Sequence, residues 1–203
     1  MNSKCPILTT LMFTISTVLL YGQAHIKPIS EEGQSKSNTD TLNVGYTYWW
    51  GNSGPFIGSC GDKYALAFLG VVTQIDSPNK DASLLYTPQN GIIEIVEILK
   101  KERLEKEKYS GQKYFSSDCF HNTKLKKGNS VLVFCYQYEG SYTIPGQNSI
   151  IKINGTNDPV VLSIKKYIDA GENPIKIKED IGLWRKMGFE SDLKRIIECR
   201  ETF

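Results

Sequence analysis

The chain has 203 residues, 40% of them hydrophobic, and 24 Lys and Arg against 22 Asp and Glu give a net charge of +2. That balance excludes the strongly basic surface of a nucleic-acid binder and the acidic excess of a solvating scaffold. A chain of this size can bury one sizeable core, so one domain with extensions is expected.

Lys4 precedes an apolar run from Pro6 to Leu20, followed by the small residues Gly22 and Ala24. This is the layout of an export signal, and residues 1–24 are expected to be removed by cleavage after Ala24, with Gly22 as the alternative. The run is short for a membrane span and rich in Thr and Ser, and no later segment is apolar enough to cross a bilayer. The mature chain is therefore expected to be secreted or to reside in the periplasm or cell envelope, and not to be an integral membrane protein. Cys5 leaves with the leader, while Cys60, Cys119, Cys135 and Cys199 remain. An even set in an exported chain points to disulfides, with three pairings open. Residues 25–43 are polar and expected to form a flexible linker.

Tyr46, Tyr48, Trp49, Trp50 and Phe56 follow, interleaved with Gly45, Gly51, Gly54, Pro55 and Gly58. Large rigid aromatics on a glycine-rich loop suit a contact platform for a protein, peptide or glycan partner. The structural alternative is that they plug one end of a barrel. Tyr64 to Ile75 reads as a strand covered on both faces, with Leu66, Phe68 and Val72 on one side and Ala67, Leu69, Val71 and Ile75 on the other. Gly70 marks a bend or bulge within it, and 76–81 is a turn. Ile92 to Lys100 is expected to be a strand, followed by a charged, partly helical connection to Gly111. Gln112–Ser117 is a third strand. Ser130–Tyr138 is a fourth, with Leu132, Phe134 and Tyr136 opposite Val131, Val133 and Cys135. Tyr142–Gly146 is expected to be a loop and Ser149–Ile153 a fifth strand. Asp158-Pro159 starts a helix that Gly171 ends, its apolar stripe formed by Val161, Leu162, Ile164 and Ile168. The helix is expected to cover the face carrying Cys135. Two further helical stretches are expected around 180–187 and from a Ser191 cap onward, the latter with Leu193, Ile196 and Ile197 at helical spacing. The fold class expected is mainly β: a five-stranded Greek-key barrel of OB type with a covering helix, and a helical extension over 172–203.

Residues 60–171 resemble the netrin-module and tissue-inhibitor-of-metalloproteinases type of OB-fold. The resemblance rests on Cys60 before a strand closing on Phe-Leu-Gly-Val-Val (68–72), and on an Ile/Val strand ending at Lys100. Asp118-Cys119 ahead of Lys-Lys-Gly-Asn-Ser-Val-Leu-Val-Phe (126–134), and a helix after Asp158-Pro159, complete it. It implies an OB-like domain over 44–171, a habit of binding proteins, and a disulfide between Cys60 and Cys119. Cys135 and Cys199 are left as a second pair, tying the last helix to the barrel. In that family the first mature residue is a cysteine whose amine and carbonyl chelate a protease zinc. Here it is His25, so that mode of inhibition is not carried over.

No cofactor or metal is expected, since there are two His and no Cys-x-x-Cys pair. Cys119-Phe120-His121 places a thiol near an imidazole, but a catalytic pair needs the base within reach of sulfur. Neither a Gly-x-Ser-x-Gly elbow nor a phosphate-binding Gly-Lys-Ser/Thr loop occurs. The leading expectation is a non-enzymatic exported module that engages a protein or peptide, inhibition being one form of this. The alternatives are a glycan-binding module on the same aromatic loop, and a hydrolase using His121 on the barrel loops.

Overall fold

The computed structural model describes residues 40–46, 52–79 and 86–202. The expected leader, most of the expected linker, and Tyr48, Trp49 and Trp50 lie outside the described residues. The described chain is mainly β, a curled mixed sheet with helices on one face. The strands are β1 (Thr41–Asn43), β2 (Leu66–Ile75), β3 (Gly91–Lys101), β4 (Tyr114–Ser117), β5 (Ser130–Tyr138), β6 (Ser141–Thr143) and β7 (Ile150–Ile153). The helices are α1 (Pro159–Asp169), α2 (Ile181–Lys186) and α3 (Glu190–Thr202), with a 3-10 segment at Pro174–Asp180. The sheet runs β1-β4-β3-β2-β5-β6, and β7 pairs with β5 off this path. The β1–β4 pair is parallel; β2 is antiparallel to both β3 and β5. A parallel bridge between Tyr46 and Ile144 links the segment after β1 to the segment after β6.

The curl places apolar side chains on both faces of the central strands. Inside, Leu66, Phe68 and Val72 of β2 meet Val131, Val133 and Cys135 of β5, with Ile93, Phe115 and Phe120. Outside, Ala67 and Leu69 meet Leu132, Phe134 and Tyr136, and α1, α2 and α3 cover them with Val161, Ile164, Trp184, Leu193 and Ile196. The two faces of β5 divide as the alternation predicts. Ile75 does not: it packs with the inner cluster. The pairing slips between Val72 and Gln74, and one added residue turns the following side chains to the other face. A second slip lies at Leu69/Gly70, at the glycine expected to mark a bulge. A Cβ on Gly70 would lie 2.3 Å from Ile93 Cγ2 and 2.7 Å from the Glu94 carbonyl oxygen. Gly70→Ala is expected to lower the unfolding free energy by about 1–3 kcal/mol, read from urea denaturation. An unchanged midpoint would show that the strands part easily here.

Several expectations are corrected. Residues 41–43, expected as part of the linker, form β1, because Leu42 and Val44 drop into the inner core beside β4. Ser141–Thr143, expected within or just before a loop, is β6. It is hairpinned to β5 through Glu139 and Gly140, both at positive φ (48° and 79°), a geometry that suits a tight strand reversal. The connection from Lys101 to Gly111, expected to be partly helical, contains no helix. Leu104 is buried in the inner core and Tyr142 Oη donates to the Glu102 carbonyl at 2.5 Å, so tertiary capture outweighs helix propensity. The first helix has its expected cap, Asp158 Oδ1 accepting from the Val160 N–H at 2.9 Å. It covers the Leu132/Phe134/Tyr136 face, however, and not the face of Cys135.

That last difference decides the cysteines. Cys60 is joined to Cys199, with Cα atoms 5.1 Å apart; Cys119 and Cys135 are free and buried. The expected Cys60–Cys119 and Cys135–Cys199 pairs are both replaced. Cys119 and Cys135 belong to the inner core, whereas α3 packs outside. A Cβ on Gly61 would come within 3.4 Å of Ile196 Cδ1. Cys199 stands three residues beyond Ile196 on the same helical face, so the loop that carries Cys60 meets it. The Arg195 guanidinium donates to the carbonyls of Phe56 (2.9 Å) and Gly58, fixing the same loop.

Candidate functional site

The ends of several elements converge where β1, β4 and β6 finish. Asp118, just past β4, is the hub. Its Oδ1 accepts from the Tyr46 N–H at 3.1 Å, and its carbonyl accepts from Tyr86 Oη at 2.5 Å and from the Gln89 N–H at 3.0 Å. Tyr46 and Tyr86 stack with ring centroids 4.5 Å apart and planes 26° from parallel. The pair borders a cleft of about 300 Å³, another wall of which is the Pro145–Asn148 segment. Ser53 closes in on that wall: a Cβ on Gly146 would lie 2.6 Å from Ser53 Cβ, and the Gly54 N–H donates to Ser149 Oγ at 3.1 Å. The remaining polar lining comes from Asn52, His121, Asn122, Gln147 and Asn148. Among the described residues no Asp, Glu, Lys or Arg lines the cleft. It offers amides, hydroxyls and aromatic faces: neutral donors and acceptors beside a flat stacking surface.

The electrostatics hold the two core thiols in their protonated form. Burial, together with the neighbouring Asp118 carboxylate, pushes the Cys119 thiol well above its ordinary range. Burial does the same to Cys135. Both stay protonated near neutral pH, and a thiol is a poor nucleophile. His121 Nδ1 is buried without a hydrogen-bond partner, so no dyad links it to sulfur. Burial first, and then Asp118, also hold the Tyr86 phenol far above its usual value, so it serves as a donor. Among the described residues no group of three or more His, Cys, Asp or Glu could hold a metal ion. Cys119 and Cys135 are expected to resist a disulfide-exchange reagent in the folded protein at mildly alkaline pH. Both should react at the rate of an ordinary thiol after unfolding in urea. Rapid labelling of the native protein would contradict this protonation state.

Of the residues expected to contact a partner, Tyr46 lies in the cleft. Tyr48, Trp49 and Trp50 lie outside the described residues. Phe56 is corrected: it is 2% exposed, packed edge-on against Trp184 (4.8 Å) and Tyr167 (5.9 Å) beneath the helices. Its glycine-rich setting resembles that of a surface loop, but the neighbouring carbonyls serve the core. Gly54 accepts from Tyr136 Oη and Pro55 from Tyr64 Oη, each at 2.7 Å. Sequence reading missed Tyr86, Asn122, Gln147 and Asn148. Each is a single polar or aromatic residue in a loop, a pattern with no local signature; only convergence of distant loops makes them a site.

No known protein family and no curated protein matches the chain.

Proposed function

We propose that this chain is an exported, non-enzymatic binding module that engages a protein or peptide partner through the Tyr46–Tyr86 cleft, inhibition being one form of that engagement. The observation that carries this reading is the stacked tyrosine pair beside an amide-lined cleft in which the Cys119 thiol is held protonated. Tyr, Asn, Ser and Gly at a recess supply rigid contact area together with adaptable hydrogen bonding. Export is supported by the Cys60–Cys199 disulfide, since such bonds persist in oxidising compartments. It is also consistent with the absence, among the described residues, of any helix long and apolar enough to cross a membrane. The OB reading is supported by four strand neighbours: β2 with β3, β3 with β4, β2 with β5, and β5 with β7. These are the neighbour relations of an OB barrel taken in order. β1 occupies the far side of β4, where such a barrel has its last strand.

The test is capture of partners from secreted or envelope fractions by the wild-type protein and by Gln147→Ala/Asn148→Ala. Both residues are exposed, so the fold should not change. Loss of a specific partner by about tenfold or more, with an unchanged melting temperature, is expected. Equal capture by the double variant would reject the cleft as the contact site. The same amides and aromatic faces also suit a neutral sugar, and binding on a glycan array that is lost in the variant would favour that second reading.

A further inference from the structure

We infer that the unpaired edge of β7 takes an extended, acidic segment of a partner protein as an added strand. The inference rests on the binding reading above and names how the partner is held. β7 pairs with β5 along one side, Val133 opposite Ile150 through Ser130 opposite Ile153. Among the described residues no strand pairs with its other side. An edge strand presents a row of backbone donors and acceptors, a ready template for an incoming chain. Elsewhere the sheet manages its edges: β3 beyond its pairing with β4 carries Glu97 and Lys100, both engaged in ion pairs with residues of the helical layer.

The β7 edge also borders a groove of about 440 Å³. Its walls are the loop 122–125 on one side and β7 on the other, with Met187 and Phe189 from the segment between α2 and α3. This groove shares Asn122, Gln147 and Asn148 with the tyrosine cleft, so the two form one continuous track. Ile151 and Met187, both packed with the outer cluster, supply an apolar side. Lys124 and Lys152 supply charge: both are exposed, and neither joins an ion pair among the described residues. Among the described residues no acidic one lines the groove. An extended segment turns successive side chains to opposite sides. Acidic side chains on one side would meet the lysines, and apolar ones on the other would meet Ile151 and Met187.

The experiment titrates isotope-labelled protein with a short acetylated peptide alternating Val and Glu, and with the matching Val/Lys peptide, following backbone amides by NMR. Expected are shifts at 122–125, 150–153 and 187–189, and slowed hydrogen exchange of β7 amides. The Val/Lys peptide should bind at least about tenfold more weakly, and Lys124→Glu/Lys152→Glu should reverse the preference. Shifts confined to Tyr46, Tyr86 and Asn148 would overturn the inference while leaving the cleft as a binding site. So would β7 amides that gain no protection from the Val/Glu peptide, or that are already protected without it. Binding equal for both peptides would overturn the acidic assignment. Loss of partner capture by the cleft variant and not by the lysine variant would separate the two proposals.

Discussion

Replacing Cys199 with Ser is expected to lower the unfolding free energy by about 5 kcal/mol in the chain-entropy account of a disulfide. The bond spans 139 residues and so encloses strands β2 to β7, helices α1 and α2 and most of α3. Opening it frees the unfolded chain far more than the folded one. In the native state the loop retains its other anchor, the Arg195 guanidinium on the carbonyls of Phe56 and Gly58. Native circular dichroism at low temperature should therefore change little. The melting temperature should fall by roughly 10–20 °C, the range that about 5 kcal/mol produces in a chain of this size. Cys60→Ser should match Cys199→Ser, and the double variant should add nothing, because each single change already removes the same bond. A non-reducing peptide map that joins Cys60 to Cys119, or melts unaffected by reductant, would defeat the assignment.

The second large effect is expected at Glu172. Its side chain is 4% exposed and makes two charge-assisted contacts. Oε1 accepts from the Tyr64 N–H at 2.7 Å, and Oε2 accepts from Lys100 Nζ at 2.6 Å. It stands just past α1 at φ 60°, following Gly171 at φ 67°, with its own N–H donating to the Tyr167 carbonyl at 2.8 Å. This left-handed exit is what aims the carboxylate back at the start of β2 and the end of β3. Glu172→Ala strands a buried N–H and removes the nearest anion from Lys100, which keeps only Glu102 at 3.1 Å. A loss of about 3–4 kcal/mol is expected. Glu172→Gln keeps an acceptor for Tyr64 and should cost less. In a double-mutant cycle with Lys100→Met, a coupling of about 2 kcal/mol is expected from urea unfolding. Additive single changes would show that the pair does not act as a unit.

Much of this molecule was legible in the sequence, for a definite reason. Two stretches, Leu66–Ile75 and Ser130–Tyr138, are apolar in both alternating sets, and only strands covered on both sides read that way. The Asp158-Pro159 helix start was legible because a cap acts over a few residues. The candidate site was scarcely legible. Tyr46 was named, but Phe56, named with it, belongs to the helical core. The carbonyls of its neighbours Gly54 and Pro55 are held by two buried tyrosines, Tyr136 and Tyr64, a convergence that no short window displays.

The sequence by itself determined that the chain holds central strands needing two covers, a helix of known start and an even set of four cysteines beyond residue 24. Tertiary structure alone decided which cover lies on which face, that Leu42 and Val44 make a strand of an apparent linker, and that Cys60 meets Cys199. The physical reason is that alternation reports how many sides of a strand are dry but carries no label for what dries them. A strand rich in β-branched and aromatic residues accepts a helix or the far wall of its own sheet equally well. The choice falls to packing among segments more than a hundred residues apart, and the disulfide follows that choice.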